Sequence, residues 1–274
     1  MFSIIRFEDF PVINNDKRVR LIADFYQITI KTACPCKIQY GQTIFDFDEG
    51  IVSCFAPKQV SFLEKDFILA KAGWQILIDP DFLRGYALNQ KISSFGFFDY
   101  RINEALIMSA EEQKSMEIIF QQIEKEYNLP IDNFSQDVIV ANLEVLLSYC
   151  NRYYNRQFIT RKIGSNGLLN KFEQLLKSYF ADYNQKGLPT AAFMAQELNI
   201  STKYLADSLK QLTGQTTQQL IQQKIIDVAK DILSSTELSV SEIAYKLGFE
   251  YPQSFSKLFK NKTSQTPKEY RNSF

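Results

Sequence analysis

Histidine is absent from this chain of 274 residues. Without it no Ser-His-Asp triad, no Cys-His dyad and no histidine-ligated metal site can form. Carboxylate chemistry remains open, but the sequence does not favour an enzyme. We therefore expect no catalytic residues, no cofactor and no bound metal.

Cysteine is scarce, with four residues at positions 34, 36, 54 and 150. Cys34 and Cys36 are too close in sequence for an ordinary disulfide, and no second pair completes a zinc site. We interpret the four as free thiols in a reducing cytosol. A redox or soft-metal sensor at Cys34 and Cys36 is the alternative.

Long apolar runs are also missing, because none reaches the roughly 18 residues that a membrane span needs. The N-terminal stretch carries Arg6 inside its apolar part and has no small-residue cleavage site. The sequence thus predicts a cytoplasmic protein with no membrane partner, long enough for two domains.

The net charge is zero, but the charges are unevenly distributed. Residues 1–165 hold 18 Lys and Arg against 21 Asp and Glu, whereas residues 166–274 hold 13 against 10. The two parts therefore carry −3 and +3. A basic C-terminal part is compatible with DNA contact but does not establish it.

Residues 1 to about 105 have the pattern of a β-rich domain. Short runs with strand-like alternation begin at Tyr26, Ile38, Ile44, Val52, Phe67 and Trp74, and turn residues separate them. This spacing predicts a small barrel or jelly roll. Four aromatic residues are candidates to line a ligand pocket, or else they fill the core: Tyr40, Phe55, Trp74 and Phe97.

Two amphipathic helices are predicted to follow, at about 109–127 and 135–153. Ser109 with Glu112 forms a capping-box pattern at the start of the first. The pair either covers the open end of the barrel or supplies a dimer seam, and the sequence leaves both open. Periodicity is then lost, which predicts a linker at residues 158–167.

The C-terminal residues repeat one pattern twice. A helix capped by Thr190 leads to a turn at Asn199 and to a second helix capped by Ser201. In the second copy, 239–270, a helix leads to Gly248 and to another helix from about Tyr251. Residues 217–234 between the copies predict a helix of roughly 27 Å. Two helices joined by a tight turn form a helix-turn-helix motif.

Residues Leu168 to Arg271 resemble the AraC/XylS family of transcription regulators, and the second copy carries the family signature. It rests on Ile243-Ala244, Gly248-Phe249, Ser254-Phe255-Ser256, Phe259-Lys260 and the ending Thr266-Pro267 with Glu269-Tyr270-Arg271. The chain departs from the family pattern at three positions. Ser264 stands where the family usually has glycine, and Thr263 stands where an aromatic or apolar residue is common. Pro252 lies at the start of the last helix of the second helix-turn-helix motif.

The resemblance implies an α+β fold with an N-terminal cupin-like regulatory or dimerisation domain at 1–157 and an AraC-type DNA-binding domain at 168–274. It implies a sequence-specific transcription regulator that binds double-stranded promoter DNA and contacts RNA polymerase if it activates. Its N-terminal domain would sense a small-molecule effector, form a homodimer, or do both, and a domain that only dimerises and binds no ligand stays open. A cupin-like binding protein or enzyme with a non-DNA-binding helical repeat is the alternative. The candidate DNA contacts are Ser201, Thr202, Lys203, Asp207, Ser208, Lys210, Gln253, Ser254, Ser256, Lys257 and Lys260; a solvated helix face is the alternative for them.

Overall fold

The computed structural model describes residues 1–9, 19–33, 37–40, 43–46, 50–63, 72–101, 104–160, 167–181 and 187–273. The chain divides into two compact units, Met1–Phe158 and Ile159–Phe274, and each is described by itself. Within the described residues, no helix has the length and apolarity needed to cross a bilayer. Nor do these residues hold a group of three or more His, Cys, Asp or Glu that fits a metal ion.

The first unit contains nine described strands. They are β1 (Phe2–Arg6), β2 (Val19–Ile22), β3 (Tyr26–Ala33), β4 (Lys37–Tyr40), β5 (Thr43–Asp46), β6 (Ile51–Phe55), β7 (Val60–Leu63), β8 (Ala72–Ile78) and β9 (Leu106–Ile107). The alternating runs predicted β3, β4, β5, β6 and β8, whereas β1, β2, β7 and β9 were not predicted. The predicted strand beginning at Phe67 lies outside the described residues.

Five of these strands form one antiparallel sheet in the order β1-β8-β3-β6-β9. β2 pairs with β7, and β4 pairs with β5, in two separate two-stranded sheets. The five-stranded sheet does not close, because β1 and β9 each pair on one side only among the described strands. The described strands thus form an open antiparallel sheet, and they do not confirm the cupin-like barrel that the sequence predicted.

One face of the sheet is covered by two long helices, α2 (Ala110–Tyr127) and α3 (Ser135–Thr160), which follow the short helix α1 (Ala87–Lys91). The ring of Trp74 lies 6.0 Å from that of Phe120 in α2. Burial raises the pKa of the Cys54 thiol well above its usual value, and a hydrogen bond with Cys150 of α3 adds to the shift. Both helices therefore pack into the core of this unit.

The second unit is entirely helical where it is described. Its helices are α4 (Leu168–Ala181), α5 (Ala191–Glu197), α6 (Thr202–Thr213), α7 (Thr217–Ser235), α8 (Val240–Lys246), α9 (Pro252–Thr263) and α10 (Pro267–Arg271). One hydrophobic core joins them. The central helix α7 contributes Ile221, Ile225 and Leu233 to it, α6 contributes Leu205, and α9 contributes Phe255. Because α6 and α9 anchor in the same core, their outer faces are held in a fixed relationship.

Candidate nucleic-acid interface

The turn between the two short helices has the same hydrogen bonding in both copies of the repeat. Asn199 turns the chain after α5 with a φ of 57°, and Gly248 turns it after α8 with a φ of 93°. The amide after each turn residue donates to a carbonyl five residues earlier at 2.9 Å, Ile200 to Ala195 and Phe249 to Ala244. These paired bonds set the angle at which α6 and α9 leave the turn.

The second helix of each copy, α6 or α9, is called its reading helix. These two reading helices also end alike. The hydroxyls of Thr213 in α6 and Thr263 in α9 donate to carbonyls four residues earlier, at 2.7 and 2.8 Å. Gly214 and Ser264 then adopt left-handed φ values of 73° and 62°. Ser264, one of the departures from the family pattern, therefore makes the same turn that glycine makes in the first copy.

The starts of the two reading helices differ. Ser201 caps α6, because its hydroxyl accepts a hydrogen bond from the Tyr204 amide at 3.1 Å. α9 starts at Pro252, and the capping residue Tyr251 makes no side-chain bond to the helix. Pro252 therefore defines the first position of the reading helix, where its missing N–H costs nothing.

The outer face of α9 carries the predicted candidates of the second copy. Gln253, Lys257 and Lys260 are exposed, and Ser256 is half-buried. The spacing of three and four residues places these four on one side of the helix. Ser254 is exposed at the margin of this side. The helix holds three lysines and no acidic residue, so its formal charge is +3.

The outer face of α6 is less basic. Thr202, Lys203 and Lys210 are exposed, while Ser201 and Asp207 are half-buried. The ammonium of Lys203 lies 3.1 Å from the carboxylate of Asp207, one helical turn away. With two lysines and one aspartate, the formal charge of α6 is +1. The structure thus brings together two outer faces of unequal charge.

Ser208 is a correction to the predicted contact set. Its side chain is 2% exposed, and the hydroxyl has no hydrogen-bond partner among the described residues. It follows Leu205 by three residues and precedes Leu209 by one, both of which are fully buried. Ser208 therefore faces the core, at the position that Leu258 occupies in the second copy, and is unavailable to DNA.

Two exposed aromatic residues near α9 were missed by the sequence analysis. Tyr251 is 59% exposed at the cap of α9, and Tyr245 is 60% exposed on α8. The N-terminal residues of a recognition helix are those that approach the bases, so Tyr251 joins the candidate surface. In the sequence, its position directly before Pro252, at the start of the helix, would have identified it as a candidate.

The predicted ligand-binding aromatics are separated by the structure. Trp74 packs on Phe120, and Phe97 stacks on Tyr154 of α3 at 5.3 Å, so both are buried against helices. Phe55 is half-buried, and its register places it on the other face of the sheet from Cys54. The side chain of Tyr40 lies outside the described part. The proposed pocket of four aromatics is therefore not assembled.

A charged cluster lies against the indole ring of Trp74. The guanidinium of Arg6 lies 5.3 Å from the centre of the indole ring and donates two hydrogen bonds of 2.5 Å to Glu124. The hydrogen bond from Arg6 lowers the pKa of the Glu124 carboxyl, and the indole of Trp74 contributes to the same shift. This cluster links β1, β8 and α2.

Comparison with known proteins decides the nature of the second unit. Residues 194–273 match the family described as "Helix-turn-helix domain". The chain carries a DNA-binding domain of the AraC/XylS family. The match begins at Met194 in α5, so the AraC/XylS domain as matched includes both reading helices and leaves α4 outside.

Relatives of known name are similar to parts of this chain. "HTH-type transcriptional activator RhaS" of Escherichia coli is 26% identical over 172 residues, which are 63% of this chain and 56% of RhaS. "Histidine kinase P4" of Formosa agariphila is 33% identical over 106 residues, 37% of this chain but 8% of the kinase. The chain thus matches about half of RhaS and a small part of the kinase.

A solved structure is similar to part of this chain. It is the C-terminal domain of the two-component response regulator yesN from Fusobacterium nucleatum, with 31% sequence identity and a TM-score of 0.33. The match covers 36% of this chain and 93% of that domain.

Proposed function

We propose that the protein is a sequence-specific, DNA-binding transcription regulator that acts in the cytoplasm on double-stranded promoter DNA. The observation that carries this proposal is the repeated helix-turn-helix geometry. The two copies have equivalent hydrogen bonds at their turns and at the ends of α6 and α9. These two helices pack into one core and expose polar outer faces.

In this proposal, some side chains on the outer faces contact phosphates and others contact base edges. Lys257 and Lys260 supply charge for phosphates, and Gln253 has the amide geometry that pairs with adenine in the major groove. Asp207 accepts hydrogen bonds only, which suits cytosine N4 and disfavours phosphate. In this proposal α9 supplies most of the electrostatic affinity, and α6 contributes selectivity.

The length of α7 supports simultaneous reading by both helices. Its 19 residues correspond to a rod of roughly 28 Å. Successive major-groove faces on one side of a duplex are about 34 Å apart. The rod is therefore of suitable length to hold α6 and α9 against adjacent grooves, with each helix reading one of them.

For the first unit we propose a regulatory role, in which the domain binds a small-molecule effector, pairs two chains, or does both. Because helices and charged groups occupy the side of Trp74, an effector would bind on the other face of the sheet. There Phe55 accompanies a row of polar residues joined by strand register, Gln75, Thr29 and Ser53. Contact with RNA polymerase is proposed only if the protein activates transcription.

Binding to the DNA upstream of the protein's own gene tests the proposal. We expect fluorescence anisotropy to show tighter binding to one segment than to shuffled DNA of equal composition, with affinity that falls as salt rises. Lys257→Ala should weaken this binding, whereas Lys114→Ala, an exposed lysine of α2, is the matched control. Equal affinity for all sequences, unchanged by Lys257→Ala, would refute the proposal.

A further inference from the structure

A cleft of about 470 Å³ lies between α4 and α7, the first and the central helix of the second unit. Its volume is within the range of small-molecule sites, about 300–1,000 Å³. The floor of the cleft is apolar, because Phe172 and Leu176 of α4 are buried in the helical core and Leu220 of α7 packs against that core. An apolar group that enters the cleft is therefore removed from water.

Each wall of the cleft carries one cation and one anion. Glu173 and Lys177 are four residues apart on α4, and Lys224 and Asp227 are three residues apart on α7. Residues at these spacings lie on the same side of a helix. Lys224 is half-buried, and the other three are exposed. The cleft thus combines an apolar floor with charges of both signs.

The charges of the α4 wall do not pair with each other. Glu173 and Lys177 form no ion pair with any described residue, although an acid four residues before a base is the favoured order for pairing on a helix. On α6, Lys203 and Asp207 do pair, at 3.1 Å, in the less favoured order. The α4 wall therefore presents both of its charges to a molecule in the cleft.

On the α7 wall, one charge already has a partner. The carboxylate of Asp227 accepts a hydrogen bond from the side-chain amide of Gln223 at 3.0 Å. Lys224 and, across the cleft, Glu173 make no side-chain hydrogen bond within the part of the chain that the structure describes. The half-buried ammonium of Lys224 and the carboxylate of Glu173 are thus the two groups best placed to hold a ligand.

We propose that the cleft binds a free α-amino acid with an apolar side chain. The carboxylate of the ligand accepts hydrogen bonds from the ammonium of Lys224, and the ammonium of the ligand donates to the carboxylate of Glu173. The apolar side chain lies on the floor, against Leu176 and Leu220. The site does not depend on the proposed function, and it is tested without DNA.

The two signs of charge select this class of ligand. A purely anionic molecule would meet the like charges of Glu173 and Asp227, and a purely cationic one would meet those of Lys177 and Lys224. An uncharged molecule would leave the half-buried Lys224 without an anion. A zwitterion gives both Glu173 and Lys224 a charge-assisted hydrogen bond, which is stronger than a neutral one.

Isothermal titration calorimetry of the full chain tests the site with L-leucine and three molecules that each lack one part of it. Isocaproate lacks the ammonium group, isoamylamine lacks the carboxylate, and glycine lacks the apolar side chain. We expect leucine to bind saturably and each of the others to bind about tenfold more weakly or worse. A lack of saturable leucine binding, or equal affinities for leucine and isocaproate, would overturn the proposal.

Two variants locate the site. Lys224→Gln should remove the preference for leucine over isoamylamine, and Glu173→Gln should remove the preference for leucine over isocaproate. Each preference compares two ligands on one variant, so it does not depend on the fraction of the chain that is folded. Lys171→Gln, at an exposed position of α4 outside the cleft, should keep both preferences. Wild-type preferences in Lys224→Gln and Glu173→Gln would place leucine at another site and overturn the proposal.

Discussion

The turn residue Gly248 lies directly against the backbone of Gly187. A methyl group at Gly248 would stand 2.2 Å from the Gly187 carbonyl oxygen, and φ at Gly248 is 93°. The same carbonyl accepts a hydrogen bond from the Tyr179 hydroxyl at 3.1 Å. The segment before the first motif is thus packed onto the turn of the second, so the two copies share contacts as well as a core.

Gly248→Ala should therefore destabilise the second unit strongly. The left-handed backbone and the collision with a carbonyl each oppose a side chain, and together we expect a loss of about 3 kcal/mol or more. Gly214→Ala is the matched control, because its φ is 73° but none of the described residues has an atom within 4 Å of an added methyl group. It should cost about 1 kcal/mol. Urea unfolding followed by far-ultraviolet circular dichroism measures both, and equal losses would contradict the contact.

Ser208→Ala should stabilise the protein and leave DNA binding unchanged. Removing a buried hydroxyl that lacks a partner should gain about 1 kcal/mol. Ser256→Ala gains the same helix propensity from an outer position, so the difference between the two variants isolates the buried hydroxyl. A drop in DNA affinity for Ser208→Ala would show that Ser208 does reach DNA.

Asp207→Ala should raise the affinity for DNA of arbitrary sequence. The change removes a negative charge from α6 and releases Lys203 from its ion pair. One additional phosphate contact would steepen the dependence of log affinity on log salt by about 0.9. Glu111→Ala in α2 removes an exposed carboxylate elsewhere and serves as the control. An unchanged salt slope would place Asp207 away from the duplex.

Acidification should weaken the caps of α8 and α10. Hydrogen bonds from the backbone and hydroxyl of Thr266 lower the pKa of Glu269, and those from the hydroxyl and backbone of Ser239 lower the pKa of Glu242, from an ordinary value of 4.5. Because the folded pKa is the lower one, this stability is present above pH 4.5 and is lost as pH falls through the folded value.

Glu269→Gln removes one of these titrating groups and keeps a side chain that can complete the cap. The variant should lose less stability than the wild type between neutral pH and the pH below the folded pKa. Thermal unfolding over a pH series measures this, with Glu173→Gln at an exposed position of α4 as the control. Identical pH profiles for Glu269→Gln and the wild type would contradict a contribution from this cap.

The local chemistry of the helices was predictable from the sequence alone. The predicted caps at Ser109, Thr190 and Ser201 are all confirmed, each accepting a hydrogen bond from an amide three residues later. Caps and turns depend on residues within one or two helical turns of each other, so their residue types suffice. The same reasoning located both reading helices and most of their outer faces.

Burial on a reading helix was less predictable. Ser208 has the residue type of a surface position, but its side chain is buried among the packed helices. Tyr251 shows the opposite case, since an aromatic residue that would be expected to be buried is exposed at the start of α9. In both cases packing between helices decides which side is accessible, and residue type alone does not record it.

In the first unit, the sequence determined that β-rich residues precede two amphipathic helices, because alternation and helical spacing are local patterns. Only the tertiary structure decided that β8 lies between β1 and β3, that the described sheet stays open, and that Trp74 faces α2. Strand order joins residues more than 70 positions apart, as in the pairing of Phe2 with Ile78. Such pairings depend on the free energy of the whole packed core, which no single stretch of sequence encodes.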